Sequence, residues 1–167
     1  MKTILKIIVL ITIFTFTSCT NDDPEDNRAI ELIEVYVDGN SPINFSNNII
    51  AKDYNLPASS GSTNIFKINS ENSSSDLFEI NLGMGSIAPF VATTPSSEVL
   101  SPSISHRLKI DGIHFDDTNP LNSITVNYTT FGTNTGDKIE INFSGNYYVI
   151  GSNVSHTLYV GVDIERD

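Results

Sequence analysis

One cysteine, three histidines and twenty acidic side chains are the groups available for chemistry in this chain. Cys19 has no second cysteine to pair with, which leaves it three uses: nucleophile, metal ligand or point of covalent attachment. Zinc needs three or four convergent ligands, and His106, His114 and His156 fall on three different expected strands with no partner at metal-ligand spacing. His106 and His156 belong to faces expected to be apolar, where a histidine hydrogen-bonded in the core or at its rim is the simpler reading. No G-x-S-x-G elbow supplies a serine nucleophile. Asp116 and Asp117 are neighbours in "FDDTNP", and adjacent strand residues point to opposite faces. They therefore do not make the facing carboxylate pair of a glycosidase, and an Asx turn accounts for them better. The expectation is no catalytic residue, no metal ligand and no cofactor.

Attachment suits Cys19 better. Lys2 and Lys6 put positive charge ahead of an apolar segment from Ile7 to Phe16, and the chain then turns small and polar. This is the layout of a secretory signal, and it is too short for a membrane span, which takes roughly 20 apolar residues. Phe16-Thr17-Ser18-Cys19 resembles the lipobox of bacterial lipoproteins, with Phe16 where leucine or another aliphatic residue is usual. The resemblance implies cleavage before Cys19, a diacylglycerol on its thiol and an acyl group on the new amino terminus, which excludes Cys19 as a nucleophile. The alternative is an ordinary signal or short anchor in which Cys19 is incidental. Each buried methylene contributes about 0.8 kcal/mol and stable anchoring takes more than one acyl chain. A lipidated Cys19 would thus hold the chain on a membrane.

Loss of residues 1–18 removes Lys2 and Lys6 from a chain whose formal charge is already −11. That balance argues against nucleic acid, whose affinity comes from lysine and arginine neutralising phosphates, and against electrostatic adhesion to anionic lipid. The ordered oxygen ligands of an EF-hand loop are missing. Thr20 to Arg28, "TNDDPEDNR", carries Asp22, Asp23, Glu25 and Asp26 without an apolar residue, the composition of a flexible tether. The run resembles the acidic stretch behind the lipid cysteine of surface-exported lipoproteins of the Bacteroidota. The resemblance implies an outer-membrane protein displayed at the cell surface. A plain spacer, with the domain on the periplasmic side, is the alternative. The expected organisation is a signal peptide at 1–18, a lipidated cysteine and acidic tether at 19–29, and one folded domain at 30–167. A domain of that length buries roughly 70% of its unfolded surface, enough for a core without staples.

The elements that must position any site read as strands. Asn, Ser and Thr are abundant, β-branched residues fill the apolar positions and no useful helical period occurs. Ile33, Val35 and Val37 alternate with polar partners, as do Phe66 and Ile68, then Phe78, Ile80 and Leu82, then Ile104, His106, Leu108 and Ile110, then Ile124, Val126 and Tyr128. Gly112 marks a phase shift that predicts a bulge, after which Ile113 and Phe115 fall together. Residues 83–103 hold three prolines and little periodicity, which predicts a long surface connection across the fold.

The most informative stretch is "DKIEINFSGNYYVIGSNVSHTLYVGVDIERD". Setting Val149 against Val154 pairs Tyr147 with His156, Gly145 with Leu158, Phe143 with Val160, Ile141 with Val162 and Ile139 with Ile164, nearly all apolar. The other face pairs Tyr148 with Ser155, Asn146 with Thr157, Ser144 with Tyr159, Asn142 with Gly161 and Lys138 with Glu165. A slip of one residue would destroy this separation, so the register specifies itself. Glu140 against Asp163 is the exception, since like charges across a pair repel; Lys138 on the diagonal, or a bound cation, would offset it. Phe143-Ser144-Gly145, His156-Thr157 and Arg166-Asp167 resemble the terminal hairpin of small uncharacterised Bacteroidota lipoproteins, a likeness of about thirty residues that implies no catalytic role.

The expected fold is an all-β, single antiparallel β-sandwich of about eight strands, because strands with one apolar face must stack it on something. A closed up-and-down β-barrel is the alternative. Aromatic rings are the remaining handle for a ligand, and Tyr36, Tyr148 and Tyr159 fall on polar faces; the competing reading has them covering a second layer of the fold. The expected function is a membrane-anchored, non-catalytic surface binding or adhesion module for a glycan or a protein. A structural or accessory envelope lipoprotein that docks another protein is the alternative, which predicts an exposed apolar patch or unpaired edge strand. A hydrolase ranks last.

Overall fold

The computed structural model describes residues 31–58, 61–100, 106–149 and 151–167. The expected signal peptide, lipobox, Cys19 and tether lie outside the described residues, as does Ile104. Among the described residues there are eleven strands: β1 (Leu32–Val37), β2 (Ile43–Phe45), β3 (Asn47–Ala58), β4 (Gly61–Glu71), β5 (Leu77–Ser86), β6 (Ser96–Val99), β7 (Arg107–Ile110), β8 (Phe115–Asp116), β9 (Ser123–Phe131), β10 (Lys138–Tyr148) and β11 (Ser155–Glu165). Sheet A orders them β2-β1-β11-β10-β9-β6, and sheet B orders them β3-β4-β5-β7-β8. Both sheets are antiparallel and keep open edges, so the chain is a β-sandwich and the barrel alternative falls.

The β10–β11 hairpin has the register that its apolar pattern dictates, from Lys138 opposite Glu165 to Tyr148 opposite Ser155. Ile139, Ile141, Phe143, Leu158, Val160, Val162 and Ile164 are buried on its inner face. Phe66, Ile68, Phe78, Ile80, Leu82, Leu108 and Ile110 from sheet B meet them in one core. Lys138 resolves the Glu140–Asp163 conflict, with its ammonium 3.4 Å from the one carboxylate and 3.2 Å from the other. Gly145 lies against β9, and a Cβ there would stand 1.9 Å from the Ser123 carbonyl oxygen on a backbone at φ +153°. Only glycine permits that approach.

The C-terminus ties the sheets together at one end. Arg166, 6% exposed, stacks its guanidinium 4.4 Å from the centroid of Phe66 and 5.9 Å from that of Phe131. Its Nη1 donates to the Gly132 carbonyl at 2.9 Å, and Nη2 pairs with Asp53. Asp167 then closes one position of the β3 edge: its N–H donates to the Ala51 carbonyl at 2.9 Å, and its Oδ2 accepts the Ala51 N–H at 2.6 Å.

Three local expectations change. The described residues hold eleven strands where about eight were expected, because β2, β6 and β8 are too short to show a period and β3 is an edge strand. Its Lys52, Asp53 and Pro57 are residues that edges tolerate and central strands do not. The connection at 83–103 is not all loop, since β5 runs to Ser86 and β6 pairs with β9 at the margin of sheet A. Gly112 sits in a 3-10 turn, Asp111–Ile113, closed by His114 at φ +54°, and not in a bulge.

Candidate functional site

Sheet A brings two of the three nominated tyrosines together. Tyr36 on β1 stands opposite Tyr159 on β11, with ring centroids 5.8 Å apart and planes at 58°. Tyr159 is 46% exposed, and its ring edges over Gly161, where a Cβ would lie 3.7 Å from Cε1. The absent side chain opens a hollow of about 290 Å³, whose walls include Tyr159, Glu34, Asn142, Glu140 and Asp163. Tyr36 Oη donates to Glu34 Oε1 at 3.2 Å; partial burial first, and that carboxylate second, raise the Tyr36 pKa and keep the hydroxyl a donor. Asn127 Nδ2 donates to Asn142 Oδ1 at 2.9 Å, leaving the remaining amide valences to the surface. Tyr148 belongs elsewhere. It pairs with Ser155, four residues and about 13 Å along the strand from Ser144, the partner of Tyr159.

The outer face of sheet B holds a larger hollow, of about 480 Å³, that no sequence pattern singled out. Tyr54, Leu56, Ile65 and Met84 make its apolar part and Thr63, Lys67, Glu79 and Asn81 its polar part. Leu56 is 44% and Met84 37% exposed. Lys52 lies 5.5 Å from the Tyr54 centroid, Lys67 pairs with Glu79 at 2.8 Å, and Asn81 Nδ2 donates to Glu79 Oε1 at 2.7 Å. Asn81 Oδ1 is buried without a hydrogen-bond partner among the described residues. The signal was present in Lys52, Tyr54 and Leu56, which share one parity, but charged and proline neighbours disguised the strand.

Two of the histidines are held by bonds to distant parts of the chain. His106 Nδ1 accepts the Gly83 N–H at 3.2 Å, which places the ring proton on Nε2, and Nε2 faces Glu98 Oε1 at 3.0 Å. The same oxygen accepts the Tyr128 hydroxyl at 2.6 Å, and burial, followed by Glu98, raises the pKa of Tyr128. With both ring nitrogens engaged, the cluster clamps β6 and the start of β7 to the body of the fold. His156 stacks on Tyr147 at 5.3 Å and bonds Asp38 Oδ2 at 2.8 Å, a rim histidine of the expected kind. His114 occupies the turn before β8.

Asp116 makes the expected Asx turn, its Oδ1 accepting the Thr118 N–H at 2.8 Å. Asp117 does something the sequence hid. Its buried carboxylate accepts the Leu108 N–H at 2.6 Å and faces Arg107 Nε at 3.3 Å, and burial raises its pKa. Among the described residues no group of three or more His, Cys, Asp or Glu is disposed to hold a metal ion. No described helix is long and apolar enough to cross a membrane. Compared with family models, with curated proteins and with solved structures, the chain finds no match.

Proposed function

We propose that this protein is a non-catalytic lipoprotein, held at the outer membrane through Cys19 and displayed at the cell surface, whose sandwich binds a glycan on the outer face of sheet A. The observation that carries the reading is the exposed Tyr159 ring paired with Tyr36 over Gly161. A flat ring offers a sugar's C–H face an apolar surface, and the surrounding carboxylates and amides accept its hydroxyls in charge-assisted hydrogen bonds. Glu34, Glu140 and Asp163 against one amine, Lys138, favour neutral or amino sugars over acidic ones. Binding of the full chain to immobilised glycans tests this. Tyr159→Ala is expected to lose tenfold or more in affinity while Tyr148→Ala keeps it. Equal binding by wild type and Tyr159→Ala would overturn the reading.

A second reading, docking of another protein, is favoured by a different observation. β3 is twelve residues long and lies at the open edge of sheet B beside the apolar Tyr54, Leu56 and Met84. Natural proteins keep such edges short or blocked unless something pairs with them.

A further inference from the structure

The edge of β3 is open over one defined window. Ala51 directs its N–H and carbonyl away from β4, where Asp167 takes both. By the alternation of an antiparallel ladder, Asp53, Asn55 and Pro57 direct theirs the same way, while Lys52, Tyr54 and Leu56 face β4. The backbone groups of Asp53 and Asn55 have no protein partner on that side among the described residues. Pro57 has no N–H to offer. The window therefore runs from Lys52 to Leu56, stopped by Asp167 at one end and by proline at the other, and its centre is Tyr54.

We propose that this window pairs with the same window of a second copy, antiparallel about a two-fold axis at Tyr54; the proposal rests on the docking reading above. A strand lying across such an axis meets itself in reverse, so the window's limits match in both copies. Asp53 then opposes Asn55 of the second copy and exchanges both N–H···O bonds with it, and the symmetric pair does the same. Lys52 opposes Leu56, and Tyr54 opposes Tyr54. Each face of the sheet continues into its own counterpart, because opposed residues keep the same parity. No like charges stand opposite one another in this register, although the chain as a whole carries −11. The charges beside the window are already matched, with Asp53 on Arg166 and Glu79 on Lys67. The apolar hollow formed by Tyr54, Leu56, Ile65 and Met84 is brought against its copy. A window this short makes a weak contact in solution, and anchoring both copies to one membrane raises their effective concentration.

The test is disulfide cross-linking of the full-length protein in isolated membranes with a copper(II) oxidant. Opposed residues at this type of position have Cα atoms about 4.5 Å apart, within the range a disulfide spans, so Tyr54→Cys is expected to give a band at twice the monomer mass on a non-reducing gel. Lys109→Cys, exposed on the same face but on β7, with β4 and β5 between it and the β3 edge, is expected to give at least fivefold less of that band. Adding Asn55→Pro to Tyr54→Cys removes an outward N–H without touching the β4 ladder, and is expected to abolish the band while far-ultraviolet circular dichroism stays unchanged. A Tyr54→Cys band no stronger than that of Lys109→Cys overturns the proposal, and with no other adduct it overturns docking at this edge as well. An adduct of Tyr54→Cys with a different protein overturns the second copy as occupant and leaves the docking reading intact.

Discussion

Arg166 is buried between two phenyl rings, bonded to the Gly132 carbonyl and paired with Asp53. Removing one partner of a buried ion pair costs about 3–5 kcal/mol; Asp53 is 38% exposed and can rehydrate, so Arg166→Ala is expected at the low end, about 3 kcal/mol, by urea denaturation. Arg166→Lys should recover only part of it, since an ammonium cannot stack and fork at once. Titration gives a second prediction at this scale. Hydrogen bonds from His156 and the Thr157 N–H hold Asp38 below its usual 3.8, and those from Asn134 hold Asp137 below it too. Their stabilisation is present above pH 3.8 and is lost as pH falls through the depressed values. Asp117, raised by burial, acts in the opposite sense, its contribution declining as pH climbs above 3.8. Urea midpoints of Asp38→Asn from pH 2 to 5 should therefore slope less steeply with acid than those of wild type, whereas Asp117→Asn should steepen the loss.

At the level of the element, inner and outer positions of one hairpin should answer differently. Phe66→Ala on β4 empties a fully buried site and is expected to cost about 3–5 kcal/mol. Leu56→Ala on β3 removes a side chain already 44% exposed and is expected to cost under about 1 kcal/mol, so a comparable loss would show that the outer face is covered. Gly145→Ala drives a methyl into the Ser123 carbonyl and should cost more than about 3 kcal/mol, or stop folding, with chevron or thermal melts as the measure. These differences follow periods that the sequence displays. The β10–β11 register was legible because almost every residue of one face is apolar and of the other polar, and the long alternating runs of β5 and β9 were legible for the same reason. β3 was not, since an edge strand answers to solvent on one side and so carries lysine, aspartate and proline among its apolar residues. β6 and β8, at four and two residues, are held by backbone pairing that imposes no side-chain pattern.

For the whole molecule, attachment and display are the properties to measure. In intact cells the wild-type protein is expected to be removed by added protease, and Cys19→Ala to leave the membrane fraction. Protection until the outer membrane is broken would assign the domain to the periplasmic side. The proposed lipobox and tether, like the two-faced strands, are read from local order along the chain, because processing signals are linear segments and a sheet's inside and outside are set by a two-residue period. Sites are not local in that sense. Tyr36 meets Tyr159 across a pair separated by most of the chain, Glu98 meets His106 and Tyr128 only where β6 joins sheet A, and Asp53 finds Arg166 only when the last residues fold across both sheets. Composition and periodicity thus determined a two-layer, all-β, acidic chain and the register of its final hairpin. Which tyrosines share a surface, which carboxylates are buried and which edge stays open were decided by tertiary structure, since each depends on strands brought side by side from distant parts of the sequence.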